Sequence, residues 1–439
     1  MIIVWDNFGF LSSPYTTEPV PSTAEGDQLL VGREADIQKL RSRILACGNH
    51  PTLEGDNGVG KTSLISVACY RLRRDFEQGK LDKLFLPIEN FFQLTGDCSV
   101  DDFIKNVYFA VASAIVKEYG TLKKSGVKLP NIADVKDWLN TPIFRSRSGS
   151  LSAGGIGVGI GSGKSPSGSV GFAEAGFKDK IDEWLRQIFP TSQAGGFVCV
   201  IDNMELLDTT QAARNLLEAI RDPLLGRRGL RWVLCGARGI VRTSAASPRL
   251  DGRLLDPMEI APISDDYVVA AVEQRIAAYR MRIDAEAPVG PESFRFLYDV
   301  LNRNLRNAFK MAGSFSQWLV DEREASGNAA EYAKLFEAWL TDQADKYQND
   351  TTLGKRAWEV FDRLAVRGGW CSPADYEEFT FNSKDSMRPH IRVLEQANLV
   401  FTSINDDSDK RRKTIFMTPR GWLVRYARAG YRVPTASNS

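Results

Sequence analysis

The sequence predicts an α/β fold: a parallel-sheet core, a helical lid and a small C-terminal winged-helix domain. Three observations carry that expectation. A glycine-rich loop, Gly55-Asp56-Asn57-Gly58-Val59-Gly60-Lys61-Thr62, follows a short apolar lead-in, and Leu64, Ile65, Ala68, Cys69 and Leu72 come after it at helical spacing. Two apolar runs, Phe197-Val198-Cys199-Val200-Ile201 and Trp232-Val233-Leu234-Cys235, are continuous rather than alternating, as in strands buried on both faces of a parallel sheet. From Ser264 to about residue 350 the pattern is helical throughout, before a pattern of three helices and two strands takes over.

The bulk composition excludes little. A chain of 439 residues is long enough for two or three domains with well-buried cores. With 56 Lys and Arg against 55 Asp and Glu, its net charge is +1, which implies no global attraction to nucleic acid or membrane. The charge is uneven, however: from Thr351 onward 15 Lys and Arg face 10 Asp and Glu. Six scattered cysteines with no C-x-x-C pair read as free thiols of a reducing, cytoplasmic compartment. Two histidines argue against a histidine metal site or a Ser-His triad. The N-terminus turns polar too quickly for a signal peptide, and no apolar run is long enough to span a membrane.

Taken in order, residues 1–28 read as an extension rich in Pro, Ser and Thr, with aromatic anchors Trp5, Phe8, Phe10 and Tyr15, lying extended over the next domain. The core spans 29–263. In it Glu34 opens an amphipathic helix to about Ala46, 83–88 is a strand, Val100–Glu118 a helix, and 195–202, 231–238 and 257–263 are strands. Residues 141–177 form a Gly/Ser-rich insert in which Ile156, Val158 and Ile160 alternate with glycines, the pattern of a long β-hairpin turning at 162–168. Within it Gly161-Ser162-Gly163-Lys164-Ser165 imitates a second phosphate loop. Val158 occupies the first glycine position and Pro166 blocks the helix, so it is rejected. The lid, 264–350, contains helices at 265–281, 291–302, 305–324 and 329–347. Residues 351–430 read as the winged helix and 431–439 as a disordered tail.

The loop chemistry follows from residue type. Glycines let successive N–H groups turn inward toward phosphate oxygens, and the helix beginning near Gly60 adds the positive end of its dipole. Residues 55–63, Gly55, Asp56, Asn57, Gly58, Val59, Gly60, Lys61, Thr62 and Ser63, are thus the expected contacts of a nucleoside triphosphate. Lys61 is expected to bridge the β- and γ-phosphates, and the Thr62 hydroxyl to ligate Mg²⁺.

These residues resemble a P-loop NTPase core of the AAA+ and STAND group, which implies ATP as nucleotide. Val31-Gly32-Arg33-Glu34, about 25 residues upstream, is similar to the box whose backbone and apolar residues contact adenine in such proteins, so Val31, Gly32 and Arg33 join the expected nucleotide contacts. Asp202, ending its strand, corresponds to the Walker B aspartate that holds Mg²⁺ beside Thr62. Many relatives follow it with the glutamate that polarises water; here Asn203 stands there and the nearest acid is Glu205, leaving the base open between Glu205 and an unassigned group. The resemblance further implies Arg238 near the sensor 1 position, Arg249 or Arg253 as an arginine finger toward a neighbouring subunit, and Arg306 as sensor 2 on a lid helix.

The C-terminal pattern suits a DNA-binding winged helix. Lys384, Arg388 and Arg392 lie on its third helix, and Lys410, Arg411, Arg412 and Lys413 on a wing between two strands; both suit phosphate and groove contacts. The order of core, lid and winged helix resembles the origin-recognition ATPases. It implies an ATP-binding and hydrolysing switch coupled to DNA or partner recruitment, acting as a homo-oligomer or in a partner complex. The alternative, suggested by the STAND-like features, is a signalling or defence ATPase whose ATP-driven assembly activates a separate effector without DNA.

Overall fold

The computed structural model of the protein describes residues 4–94, 99–129, 131, 170–204, 210–237, 239–245, 247–322, 327–404 and 413–432. Five parallel strands form its first sheet: β1 (Thr52–Glu54), β2 (Leu84–Gln93), β3 (Gly195–Asp202), β4 (Leu230–Gly236) and β5 (Met258–Glu259), in the order β2-β3-β4-β1-β5. The continuous apolar runs explain themselves here. Phe197, Cys199 and Ile201 of β3 face one layer of helices, while Val198 and Val200 face the other. On the second face lie α3 (Glu34–Leu45) and α4 (Lys61–Glu77); on the first lie α5 (Val100–Lys117), α7 (Val170–Ile188) and α8 (Thr210–Ile220), with α6 (Tyr119–Lys124) beside them. Trp232 is wholly buried on that face and donates its indole N–H to the Leu224 carbonyl at 3.1 Å.

Three elements differ from the sequence expectation. The segment 257–263 contributes only two strand residues, because Pro257 and Pro262 bracket it and lack the N–H that a ladder needs. The expected hairpin 141–177 ends in helix: residues 170–177 are the first two turns of α7, whose Phe177, Ile181, Trp184, Leu185 and Ile188 form a buried stripe at helical spacing. The remainder, 141–169, lies outside the described residues. The N-terminal extension is not extended throughout either. It contains α1 (Val4–Asn7) and α2 (Ala24–Leu29), the latter capped by Thr23, whose hydroxyl accepts the Gly26 N–H.

After β4 come α9 (Ile240–Ala245) and then a helical layer: α10 (Asp265–Tyr279), α11 (Pro291–Val300), α12 (Leu305–Glu322) and α13 (Ala329–Asn349). The C-terminal elements are α14 (Lys355–Val366), β6 (Trp370–Cys371), a 3₁₀ turn (Pro373–Asp375), α15 (Lys384–Gln396), β7 (Val400–Ile404), β8 (Lys413–Met417) and α16 (Pro419–Arg428), with a three-stranded antiparallel sheet in the order β6-β8-β7. No linker separates these two groups. Phe294, Phe315 and Phe336 of the helical layer belong to the same hydrophobic core as Phe361, Leu394 and Leu423. Phe296 meets Tyr426 edge-on at 5.7 Å, and Asn302 donates to the Gly368 carbonyl at 3.2 Å. Phe8, Phe10 and Tyr15 from the N-terminus enter that core too; the Tyr15 hydroxyl donates to the Val289 carbonyl at 2.6 Å and accepts the Val289 N–H at 2.9 Å. No described helix is long and apolar enough to cross a membrane.

Candidate functional site

The glycine-rich loop leaves β1 at the C-terminal edge of the sheet and feeds α4. Gly58 and Gly60 adopt φ of +88° and +95°, left-handed conformations that L side chains rarely take. The Lys61 ammonium folds back over the loop, donating to the carbonyls of Gly55 at 2.8 Å and Asp56 at 3.2 Å. It is 6% exposed with no acidic partner among the described residues, so its charge is held at the loop by carbonyl dipoles alone.

Across the sheet edge, the Thr62 hydroxyl donates to Asp202 Oδ2 at 2.9 Å. The other carboxylate oxygen of Asp202 accepts the Asn203 N–H at 2.9 Å, with Asn203 at φ 55°. A hydroxyl and a carboxylate in contact at the mouth of a phosphate loop are hard oxygen donors of the kind Mg²⁺ takes, with room left for waters. Arg33 lines the same cleft, where its guanidinium donates to the Val59 carbonyl at 2.8 Å and pairs with Asp36 at 3.0 Å, and so braces the loop. Buried Glu54, just before the loop, accepts the Arg242 N–H at 2.6 Å and so anchors α9 beside it.

The start of α12 sits directly on the loop. Asn304 caps that helix, its Oδ1 accepting the Asn307 N–H at 3.1 Å, while its Nδ2 donates to the Asn57 carbonyl at 2.7 Å. Two consecutive left-handed residues, Asn302 (φ 53°) and Arg303 (φ 60°), turn the chain into this position. A Cβ on Gly58 would lie 2.7 Å from both Arg306 Cβ and Asn304 Oδ1. Arg306 is exposed, lines the cleft and has no acidic partner among the described residues, whereas neighbouring Arg303 is committed to Asp265 at 2.6 Å. Of the two, only Arg306 has a charge available to a ligand.

A cleft of about 870 Å³, counting its open mouth, runs from the glycine-rich loop to a second, mostly apolar end lined by Leu29, Val31, Ile263, Ala271 and Phe309. Thr16–Val20 cross its rim as a strap. On one side Tyr15 anchors the strap in the helical layer; on the other the Val20 N–H donates to the Ser63 hydroxyl at 3.2 Å, and Asp27 of α2 binds Arg71 at 2.5 Å and Arg74 at 2.9 Å on α4. At the apolar end Arg275 of α10 is 7% exposed, packs its guanidinium 4.4 Å from the Phe309 ring and donates to the Thr16 carbonyl at 3.2 Å. Burial pushes its pKa below the ordinary arginine value. Sequence reasoning missed Arg275, Asn304 as a loop contact, and the strap. The one signal was a cation, Arg275, lodged between the apolar positions Val272 and Ile276 of a helix.

Other expected residues lie elsewhere. Arg249 is exposed and bonded to Glu218 at 3.4 Å; the Arg253 carbonyl accepts the His50 N–H at 2.7 Å, beside the N-terminal end of β1. Neither is among the residues that line the cleft beside the glycine-rich loop. Lys384, Arg388 and Arg392 follow one another at four-residue spacing on α15, with Arg388 and Arg392 exposed and Met387, Ile391 and Leu394 buried behind them. Glu205, Arg238, Lys410, Arg411 and Arg412 lie outside the described residues, as does the tail from 433; Lys413 begins β8. The described residues contain no cluster of His, Cys, Asp and Glu that could hold a metal unaided.

No protein-family model and no curated protein sequence matches the chain. Solved structures similar to it include the Aeropyrum pernix ORC1 protein in complex with DNA, at 14% identity, TM-score 0.45, and coverage of 95% of this chain and 97% of that one. The Aeropyrum pernix ORC2 protein in its ADPNP-ADP complexes is similar at 10% identity and TM-score 0.45, covering 97% and 98% of the two chains. A Walker-type ATPase of Pyrococcus abyssi is similar at 12% identity and TM-score 0.43, covering 94% and 99%.

Proposed function

We propose that this chain is an ATP-driven switch in which a phosphate-binding core controls a lid carrying a DNA-binding winged helix. The observation that carries it is the continuity of one hydrophobic core from α10–α13 into α14–α16, on a body whose α12 end touches the phosphate loop through Asn304 and Gly58. Whatever changes the shape of the loop must shift that contact, and the C-terminal elements move with it as one piece.

In this reading the loop N–H groups and Lys61 hold the phosphates, and Arg306 approaches the terminal phosphate from the lid. Thr62 and Asp202 would hold Mg²⁺, which supplies charge neutralisation for phosphoryl transfer when bound. Lys61 is already desolvated, so exchanging carbonyl partners for phosphate oxygens gains a charge–charge interaction with little further loss of hydration. Hydrolysis needs a group to orient water, and Glu205 is the residue we assign to it, with Arg249 or Arg253 supplied in trans by a second subunit.

The arginine stripe of α15 supports duplex DNA as the partner, since its cations face outward and are free of acidic partners among the described residues. One observation favours the second reading, a protein effector: Trp370 and Phe401 are half exposed on the outer face of the small sheet, flanking Phe416. Duplex binding measured with and without ATP, for wild type and Lys61→Ala, tests the proposal. ATP-dependent DNA affinity that the mutant lacks is expected. ATP-dependent self-assembly with no DNA binding at any salt would transfer the chain to the effector reading.

A further inference from the structure

We propose that the N-terminal strap is a gate on the cleft, hinged on the helical layer and latched to α4 through Asp27, and that this latch sets how fast nucleotide enters and leaves. The inference rests on the nucleotide-binding function proposed above and adds what controls traffic through that site. Thr16–Val20 line the rim, so a ligand reaching from the glycine-rich loop to Phe309 lies beneath them.

The lid end of the strap is held by apolar burial. Phe8, Phe10 and Tyr15 are each 2% exposed or less. Phe8 meets Tyr332 of α13 edge-on at 6.0 Å, and Tyr15 stacks on Phe294 of α11 at 6.3 Å. The Leu11 N–H donates to the Tyr279 carbonyl at 2.8 Å, and the Met281 N–H to the Gly9 carbonyl at 2.9 Å. With Tyr15 also bonded twice to Val289, this end comes away only if a core opens.

The other end is held differently. Val20 and Leu29 tuck against α3 and α4, but the polar contacts that pin the strap there are few. The Val20 N–H donates to the Ser63 hydroxyl at 3.2 Å, and the Asp27 carboxylate takes Arg71 on one oxygen at 2.5 Å and Arg74 on the other at 2.9 Å. α2 passes that hold to the strap, because it folds back so closely that a Cβ on Gly26 would collide with the Pro21 carbonyl oxygen. On its other side α2 is bonded to the lid, where the Tyr279 hydroxyl donates to Glu25. Release of Asp27 therefore leaves strap and α2 attached to the lid and free to lift from α4. Both arginines keep acidic partners when that happens, Arg71 with Glu34 at 2.6 Å and Arg74 with Asp75 at 3.7 Å. Opening thus strands no unpaired cation on the core.

The latch lies outside the cleft: Asp27, Arg71 and Arg74 are not among its lining residues. It holds the strap equally with and without nucleotide, so weakening it raises the open fraction of the empty and the loaded protein alike. Entry and exit then quicken by the same factor and affinity stays put. That is the mark of a gate as against a binding contact.

The test follows a ribose-labelled fluorescent ATP analogue on the full chain by stopped flow, for wild type and Asp27→Ala, measuring association directly and release under a chase of unlabelled ATP. Both rate constants should rise together by about tenfold in the variant, as for loss of a mostly buried carboxylate bonded to two guanidinium groups, with Kd unmoved. Rates equal to wild type would show that the strap does not bar the path, and faster release at unchanged association that Asp27 shapes the closed cleft; either overturns the gate. Arg74→Ala, at a side chain 37% exposed, removes half of the latch and should raise both constants by about threefold. It decides the matter if Asp27→Ala does not fold, and rates it leaves unmoved overturn the gate as well. Failure of wild type to bind either the analogue or unlabelled ATP instead overturns the nucleotide-binding function, and the gate with it.

Discussion

Gly58→Ala should lift the lid off the phosphate loop, and the structure sets the size of the effect. The new methyl carbon would lie 2.7 Å from both Arg306 Cβ and Asn304 Oδ1. Ordinary carbon contacts sit at about 3.5–4.0 Å, so the start of α12 must retreat by about 1 Å. The Asn304 to Asn57 hydrogen bond, now 2.7 Å, would then pass the limit of a bond, a loss of about 1 kcal/mol. The left-handed φ of +88° adds about 1–2 kcal/mol of backbone cost, but Gly60, at +95° with open space where its Cβ would stand, carries that cost without the collision. Gly60→Ala is thus the control. Amide hydrogen exchange in nucleotide-free protein should accelerate about 5-fold or more over residues 304–308 in Gly58→Ala and stay at the wild-type rate there in Gly60→Ala. Identical exchange of 304–308 in both variants would show that the lid does not lean on Gly58.

Asp202→Ala and Thr62→Val should each leave nucleotide binding in place but abolish its dependence on Mg²⁺, read as affinity with and without EDTA, since each removes one oxygen donor from a contacting pair. His50 is neutral in the fold, bonded through Nε2 to the Leu225 carbonyl at 2.7 Å and accepting the Trp232 N–H at 3.2 Å on Nδ1, and burial with Arg231 nearby drives its pKa down to about 3. Because the unfolded chain binds that proton below pH about 6.5, this contribution is complete above pH 6.5 and lost toward pH 3, by up to about 1.4 kcal/mol per unit. The slope of urea-unfolding free energy between pH 6.5 and 5 should be correspondingly shallower in His50→Asn. Arg388→Ala with Arg392→Ala should weaken duplex binding, and the slope of log affinity against log salt should fall by about 0.9 for each DNA phosphate left without its arginine; an unchanged slope at reduced affinity would mean the two read bases instead.

Legibility followed the range of the interactions. α3, α5 and the helices of the lid stand within a few residues of where periodicity puts them, because each is written in its own segment; in the structure Ser99 caps α5, and Asn328 with Glu331 forms a capping box on α13. α7 was equally legible through Phe177, Ile181, Trp184, Leu185 and Ile188, but the glycine alternation just before it suggested a strand and masked the helical stripe. The N-terminal segment misled for the opposite reason. Its Pro, Ser and Thr content is locally that of an irregular chain, and what shapes it is distant: Val289 for Tyr15, Ser63 for Val20, Arg71 and Arg74 for Asp27.

By itself the sequence determined the glycine-rich loop and the α/β class, since a run of glycines, a lysine and a threonine at fixed spacing, and strands apolar on every residue, are statements about neighbours along the chain. Only the tertiary structure decided that Thr62 meets Asp202 across 140 residues, that Arg306 rather than Arg303 is free to face a ligand, and that Arg275 closes the apolar end of the cleft against Thr16. It also decided that lid and C-terminal module share one core rather than a linker. The physical reason is the same throughout. A side chain's partner depends on which faces pack together, and packing is settled by the summed burial of all the elements, a quantity that no single stretch of sequence contains.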